Sequence, residues 1–315
     1  MFSNMGNKKK QTYLINGILD SGKSEFIRFT MDQPYFKSKD KTLLLVCEEG
    51  EVEYDRAFLK RNKAVKVVID EESLFNIEEL EKIDSEHRPA RILIEYNGMW
   101  NQKDIELPDN WKLEQQISLV DTTTFEMYYN NMKSIICDVV RNSDLILFNR
   151  AAETDKLPDF KRNVKKINQK AEIVFENNDS EVKVTLDEEL PYDINADKIM
   201  ITDDTYSFWF VNVLDNLEKY IGKEVEYVGQ VLKRDHFPKD YFVPIRTVMT
   251  CCADDLAKLG FICQFEGASE LKEGDWVKVN AVVNKEFWVD YGGEGPVLKA
   301  ISVEITKEPE NTILQ

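Results

Sequence analysis

Gly17-Ile18-Leu19-Asp20-Ser21-Gly22-Lys23-Ser24 decides how the first half of this chain folds. The stretch satisfies G-x-x-x-x-G-K-[ST] at every specified position, and each residue type has a physical reason to be there. Gly17 and Gly22 let the backbone turn so that consecutive N–H groups converge on phosphate oxygens. Lys23 brings a point charge to the β- and γ-phosphates, and the Ser24 hydroxyl is placed to ligate Mg²⁺. Asp20 and Ser21 complete the loop and Glu25 follows it, so these three join the expected nucleotide-contacting set. Residues 12–16 read as a short buried strand entering the loop, and residues 24–31 as a helix leaving it. That order aims a helix N-terminus at an anion.

Working outward, strand and helix signals alternate through the first 175 or so residues. Further strands are expected over 42–46, 65–69, 91–95, 116–120, 145–149 and 172–175, with helices over 73–83, 124–141 and 159–169. Several of the strands are Val/Ile/Leu runs without polar alternation, which suits a sheet covered on both faces. The alternation predicts an α/β domain with a mainly parallel sheet. After residue 175 the character changes. Asn177-Asn178-Asp179-Ser180 reads as a turn, and the stretch from Asp187 to Asp197 is acidic and irregular. A helix is expected over 207–220. Strand-like runs over 225–233, 241–250, 276–283 and 297–305, separated by Gly, Pro and Asp turns, predict a small closed barrel of the OB type. The expected boundaries are 1–178 for the phosphate-binding domain, 179–202 for a linker and 203–315 for the barrel.

The composition narrows the partners. With 315 residues and a formal net charge of −17, the chain is unsuited to nucleic acid or anionic membrane as a general ligand. Lys8-Lys9-Lys10 runs into a strand and not into an apolar signal core, so it reads as a solvated tail. No apolar run approaches the roughly 18 residues of a membrane span. The expectation is a cytoplasmic chain. Five cysteines, Cys47, Cys137, Cys251, Cys252 and Cys263, do not suggest a disulfide framework in a chain this long, and two histidines exclude a histidine-rich metal site.

A phosphate loop needs a second acidic group for its metal. Arg91-Ile92-Leu93-Ile94-Glu95 ends an apolar strand in a carboxylate, and Gly98 follows at the spacing of the glycine whose N–H contacts a γ-phosphate. Between the two motifs lies Cys47-Glu48-Glu49-Gly50-Glu51-Val52-Glu53-Tyr54-Asp55. It reads either as a solvated acidic loop or as a switch segment whose carboxylates, Glu51 among them, approach Mg²⁺.

These residues resemble the CobW/HypB/UreG-type GTPases, and most of all their CobW-like branch. That branch carries N-E-F-G-E-V-x-x-D after its second strand, against Cys47 to Asp55 here, and E-x-x-G after a later strand, against Glu95-Tyr96-Asn97-Gly98. Val120-Asp121 and Leu145-Ile146-Leu147-Phe148-Asn149-Arg150 match its later strand ends. The resemblance spans about residues 10–175. It implies binding of GTP and Mg²⁺, slow hydrolysis, and service in metal homeostasis or with a metal-pathway protein. Lys23 and Glu95 are the catalytic candidates, Ser24, Glu51 and Glu95 the Mg²⁺ ligands, and Asn149 and Arg150 the base-contacting residues.

Two departures stand out. The guanine-reading motif N-K-x-D is Asn149-Arg150-Ala151-Ala152 here, without its aspartate, so ATP stays open beside GTP; Glu153 or Asp155 is the substitute in a rebuilt loop. The C-x-C-C motif of the metal-handling members has no counterpart, because residues 56–90 hold no cysteine.

In the second half, Arg246-Thr247-Val248-Met249-Thr250-Cys251-Cys252-Ala253-Asp254-Asp255, Gly274-Asp275-Trp276-Val277-Lys278-Val279 and Tyr220-Ile221-Gly222-Lys223-Glu224-Val225 resemble the C-terminal domain of YcgQ-like proteins. Those proteins accompany a membrane permease subunit, so the resemblance implies an OB-like barrel and a permease partner. Three readings of Cys251 and Cys252 remain open: one buried and one incidental thiol, a metal or thiol-reactive site, or a disulfide. Phe208, Trp209, Phe210, Trp276, Trp288 and Tyr291 would suit base stacking, but the acidic segment 263–290 opposes it, and they read as core and rim. The function expected is Mg²⁺-dependent nucleotide binding with slow hydrolysis. The alternative is a nucleotide switch without significant turnover that docks a permease through the barrel.

Overall fold

An apolar strand with no polar alternation must have both faces covered, and residues 42–46 and 91–95, buried at every position, meet that condition. The computed structural model describes residues 9–314 except 49, 51, 104, 153–154, 178–179, 185–189 and 252–254. The chain divides into two units, Met1–Val164 with Lys170–Val184, and Lys165–Gln169 with Thr185–Gln315.

The first unit runs β1 (Lys10–Asn16), α1 (Lys23–Asp32), β2 (Thr42–Val46), α2 (Arg56–Arg61), β3 (Ala64–Val68), α3 (Ile77–His87), β4 (Arg91–Glu95), β5 (Trp111–Asp121), α4 (Thr122–Asn131), α5 (Lys133–Arg141), β6 (Leu145–Asn149), α6 (Leu157–Ile167), β7 (Glu172–Asn177) and β8 (Ser180–Glu181). The sheet order is β3-β2-β4-β1-β5-β6-β7-β8. Every pairing from β3 to β7 is parallel, and the short β8 is antiparallel to β7. Successive side chains of β2 go to opposite faces. Leu43 and Leu45 pack with Leu80 and Ile83 of α3. Leu44 and Val46 pack with Ile27 and Met31 of α1 and Phe58 of α2. Because β1 lies mid-sheet, with β4 on one side and β5 on the other, the loop that follows it opens at the carboxyl edge where open α/β sheets bind ligands.

Two expected helices of the first unit differ in the structure. The one over 124–141 is two helices, broken at Met132, which leaves helical geometry with φ −134° and ψ 43°. Asn130 and Asn131 are weak helix formers just before the break, and α5 then buries its own face of Ile136, Cys137, Val139 and Val140. The one over 73–83 is a 3₁₀ turn, Glu72–Leu74, followed by α3, whose start is set by Asn76 accepting from the Glu79 N–H.

The second unit runs β9 (Lys198–Met200), α7 (Asp203–Asp215), α8 (Leu217–Tyr220), β10 (Glu224–Leu232), β11 (Tyr241–Met249), β12 (Leu256–Leu259), β13 (Ile262–Gln264), β14 (Trp276–Trp288), β15 (Gly293–Ile305) and β16 (Ile313–Leu314). Pairings β10–β14, β14–β15, β15–β13, β13–β11 and β11–β10 close a five-stranded barrel. Its core holds Trp209, Phe210, Tyr227, Phe242 and Phe261. The single helix expected over 207–220 begins earlier, behind a Thr202/Thr205 capping box, and breaks at Asn216. Trp209 and Phe210 are core residues as expected, whereas Phe208, Trp276 and Trp288 are half-buried and Tyr291 is 39% exposed. Among the described residues no helix is long and apolar enough to cross a membrane.

Arg246 of β11 explains part of the signature found in the sequence. Its guanidinium is 2% exposed. It donates to Asp203 at the start of α7 and to the Asn311 carbonyl, and it lies 5.5 Å from the Trp276 ring centroid. Asp203 is 31% exposed, but removing it leaves the buried Arg246 charge without its carboxylate, which costs more than replacing both partners. Asp203→Ala should therefore lower stability by about 3 kcal/mol, and adding Arg246→Met should recover most of that loss. Urea unfolding of the two variants measures this; a double variant no more stable than the single would refute the assignment.

Candidate functional site

The 17–24 loop leaves β1 tightly bound to its surroundings. The Gly17 N–H donates to Asn16 Oδ1 at 2.8 Å, and the Ser21 N–H donates to the Ile18 carbonyl at 3.1 Å. Gly22 begins α1 with φ +91° and no side-chain cap, so the first N–H groups of the helix are kept for another acceptor. A Cβ at Gly22 would sit 2.5 Å from Asn149 Nδ2. That amide, at the end of β6, donates to the Ser21 carbonyl at 2.7 Å and holds the loop from behind. Arg150 donates to the Asp20 carbonyl at 3.0 Å and pairs with Asp121 at 2.5 Å. Burial opposes ionisation of Asp121, but hydrogen bonds from Thr123 and Arg150 outweigh it, and the carboxyl lies below the usual range.

Lys23 is 4% exposed. Its Nζ donates to the Gly17 carbonyl at 2.8 Å, the Ile18 carbonyl at 3.0 Å and Glu48 Oε2 at 2.7 Å. Ser24 Oγ donates to Glu95 Oε1 at 2.5 Å, and the Tyr54 hydroxyl donates to Glu95 Oε2 at 2.6 Å. Glu95 is 2% exposed. Burial pushes its carboxyl pKa up, against the pull of the Ser24 and Tyr54 hydrogen bonds and of Lys23. Burial and the neighbouring Glu95 push the Tyr54 phenol up in turn. The Gly98 N–H donates to the Gly17 carbonyl at 3.2 Å, and a Cβ at Gly98 would lie 2.4 Å from that oxygen. A side chain at 98 would therefore displace the phosphate loop itself.

The donor set suits an anion beside a hard cation. Ser21 Oγ, a hydroxyl able to donate, is buried without a hydrogen-bond partner in the loop's own wall. Ser24 and Glu95 bring a hydroxyl and a carboxylate together, the oxygen ligands that Mg²⁺ prefers. A cavity of about 280 Å³ opens over Gly22, Lys23, Ser24, Glu48 and Glu95. A second, of about 530 Å³, adjoins it along α1, sharing Gly22, Glu25 and Arg150 and continuing over Phe26, Phe29 and Glu176.

Of the residues expected from sequence, Gly22, Lys23, Ser24, Asp20, Glu25, Glu95 and Arg150 all line the first cavity. Asn149 lines the second. Gly17, the loop's first residue, and Gly98 are packed on each other. Glu51, Glu153 and Cys252 lie outside the described residues. Cys251 is half-buried in the bend after β11, whereas Cys47 and Cys263 are buried thiols. Sequence reasoning did not single out Glu48 or Tyr54 within their acidic segment. Nothing in a run of carboxylates tells which one turns back to Lys23, and the only sign of Tyr54 is an aromatic residue amid charges.

A sequence model described as CobW/HypB/UreG, nucleotide-binding domain, matches residues 11–175, and one described as DUF1980 C-terminal domain matches residues 175–313. No curated protein sequence matches the chain. Among solved structures, the hydrogenase maturation factor HypB from Archaeoglobus fulgidus is 17% identical, with 53% of this chain and 81% of that chain covered at a TM-score of 0.38. The Zn(II)-bound YjiA GTPase from E. coli is 17% identical, with 56% and 60% covered at a TM-score of 0.41. The mitochondrial single-stranded DNA binding protein Rim1 from S. cerevisiae is 16% identical, with 28% and 98% covered at a TM-score of 0.18.

The buried Glu95 makes stability depend on pH. Its folded pKa is raised, so the folded state holds the proton more tightly than the unfolded chain does. That contribution is present at low pH and is lost as pH rises through the folded pKa. Glu95→Gln should accordingly melt higher than the wild type at pH 8 in the absence of nucleotide, with the gap closing toward pH 4. A gain of about 1 kcal/mol corresponds to a few degrees in Tm. Melting curves by circular dichroism test this, and a gap that is the same at both pH values would contradict it.

Proposed function

The chain belongs to the CobW/HypB/UreG nucleotide-binding family, and from that premise we propose that its first unit binds GTP with Mg²⁺ and hydrolyses it slowly. The observation that carries this reading is the buried Lys23 at the mouth of the loop, whose ammonium already engages an anionic oxygen of Glu48. An incoming phosphate offers the same kind of acceptor and takes that place. The loop and the first turn of α1 bind phosphate oxygens through N–H groups. Lys23 neutralises charge on the γ-phosphoryl, and Ser24 with Glu95 holds the cation, while Tyr54 orients Glu95. Mg²⁺, when bound, supplies charge neutralisation across the phosphate oxygens. The charge balance supports the need for it. Among the described residues the first cavity is lined by Asp20, Glu25, Glu48 and Glu95 against Lys23 and Arg150, so a polyphosphate meets net negative charge unless a cation accompanies it.

A second reading keeps the binding and drops the turnover: a nucleotide switch in a metal-pathway or permease setting, with the YcgQ-like barrel as the docking domain. Its support is the sequence Asn149-Arg150-Ala151-Ala152 and the lack of cysteine in residues 56–90, which removes the thiolates of the metal-handling relatives. Cytoplasmic residence belongs to both readings.

Lys23→Ala should weaken GTP binding in titration calorimetry by at least ~100-fold, equivalent to about 2.7 kcal/mol. Unchanged affinity would sink both readings. Single-turnover assays then separate them: phosphate release that requires Mg²⁺ identifies the enzyme, and tight binding without release identifies the switch.

A further inference from the structure

The cavity of about 530 Å³ beside the phosphate loop has the make-up of a site for a flat heterocycle. Its volume lies in the range of small-ligand pockets. Phe26 and Phe29 of α1 line it, and Phe29 is 55% exposed. The lining also includes Asn149 and Arg150 from the end of β6 and Glu176 from the end of β7. Because Gly22, Glu25 and Arg150 also line the phosphate cavity, a nucleotide whose phosphates rest on Lys23 extends its base into this space.

Guanine presents two neighbouring donors on one edge, N1–H and the 2-amino group, and an ionised carboxylate, with two acceptor oxygens side by side, matches both. Position 152, where the base-reading aspartate would stand, is alanine. The turn holding it is tied directly to β7, for the Ala151 N–H donates to the Glu176 carbonyl at 2.9 Å. Among the described residues two carboxylates line this cavity: Glu25 also lines the phosphate cavity, at the junction of the two, whereas Glu176 lines this one alone of the pair. Resting on the nucleotide reading above, we propose that the Glu176 carboxylate reads the guanine edge in place of the aspartate missing after Asn149-Arg150. Base choice is thereby moved from the β6 turn to the end of the adjacent strand, and a chain without an intact N-K-x-D motif still selects guanine.

The test is competition of GTP, ITP, XTP and ATP against a fluorescent GDP analogue on the full chain and on Glu176→Gln. The wild type should prefer GTP to ITP, which lacks the 2-amino group, and to ATP. Glu176→Gln should lose about 100-fold for GTP and gain for XTP, because an amide matches the N1–H and 2-oxo pair of xanthine. A gain in XTP binding is a result that a misfolded variant cannot produce. Should the variant not fold, the wild-type ratio of GTP to ITP decides. A wild type that binds GTP and ITP equally, or ATP best, overturns the assignment of Glu176 and leaves the phosphate site standing. So does a folded Glu176→Gln with the wild-type order of preference, or one weakened equally for all four. A wild type that binds none of the four, as Lys23→Ala would, fails the nucleotide reading itself.

Discussion

Glu95 is the side chain on which the first unit's site depends. It ends β4 with 2% exposure, in surroundings that penalise its charge, and it is held by donors from two separate segments. Ser24 belongs to the phosphate loop and Tyr54 to the segment after β2. Any movement of either segment changes how well a buried carboxylate is satisfied, and an unsatisfied buried charge is costly. The loop after β1, the acidic segment after β2 and the end of β4 are therefore one energetic unit. Lys23 and Glu48 join the same two segments a second time, by a 2.7 Å ion pair in which both side chains are largely buried.

That coupling is possible because of where the strands end. Parallel strands bring all their carboxyl ends to one edge, and all but β3 contribute a group there: the loop from β1, Glu48 after β2, Glu95 from β4, Asp121 from β5, Asn149 from β6 and Glu176 from β7. The edge is close-packed. Gly98 has no room for a Cβ, since the Gly17 carbonyl would lie 2.4 Å from it, and its N–H donates to that same oxygen. The glycine that follows β4 thus buttresses the glycine that opens the phosphate loop.

Most of this fold was legible in the sequence, because apolar runs and glycine-lysine spacing are local signals. The strands 42–46, 91–95 and 145–149 have the expected bounds, and the closed barrel follows the expected order of long strands. What was not legible depends on partners distant in sequence. The break at Met132 follows from the separate face that α5 buries, and the short strands β9, β12, β13 and β16 exist only because a neighbour pairs with them. The same holds in the site. Gly22, Lys23 and Ser24 could be named from spacing alone, whereas the roles of Glu48 and Tyr54 arise from contacts spanning 25 and 41 residues, with Lys23 and Glu95 respectively.

The second unit shows how a signature can mix two kinds of constraint. Along β11 the side chains of Arg246 and Val248, and Thr250 just beyond, are buried at 2%, 0% and 2% exposure. The arginine fixes the start of α7 and the segment at Asn311, and Thr250 donates to the Asp255 carbonyl at 3.0 Å, closing the bend that carries Cys251. Arginine and threonine thus serve to build the barrel. The thiol of Cys251 differs, being only half-buried at a bend outside the strand. A packing role needs burial, and burial raises a thiol's pKa, as it does for Cys47 and Cys263. Cys251 lacks the enclosure of those two thiols, so packing accounts for the arginine end of the signature and not for its cysteine end.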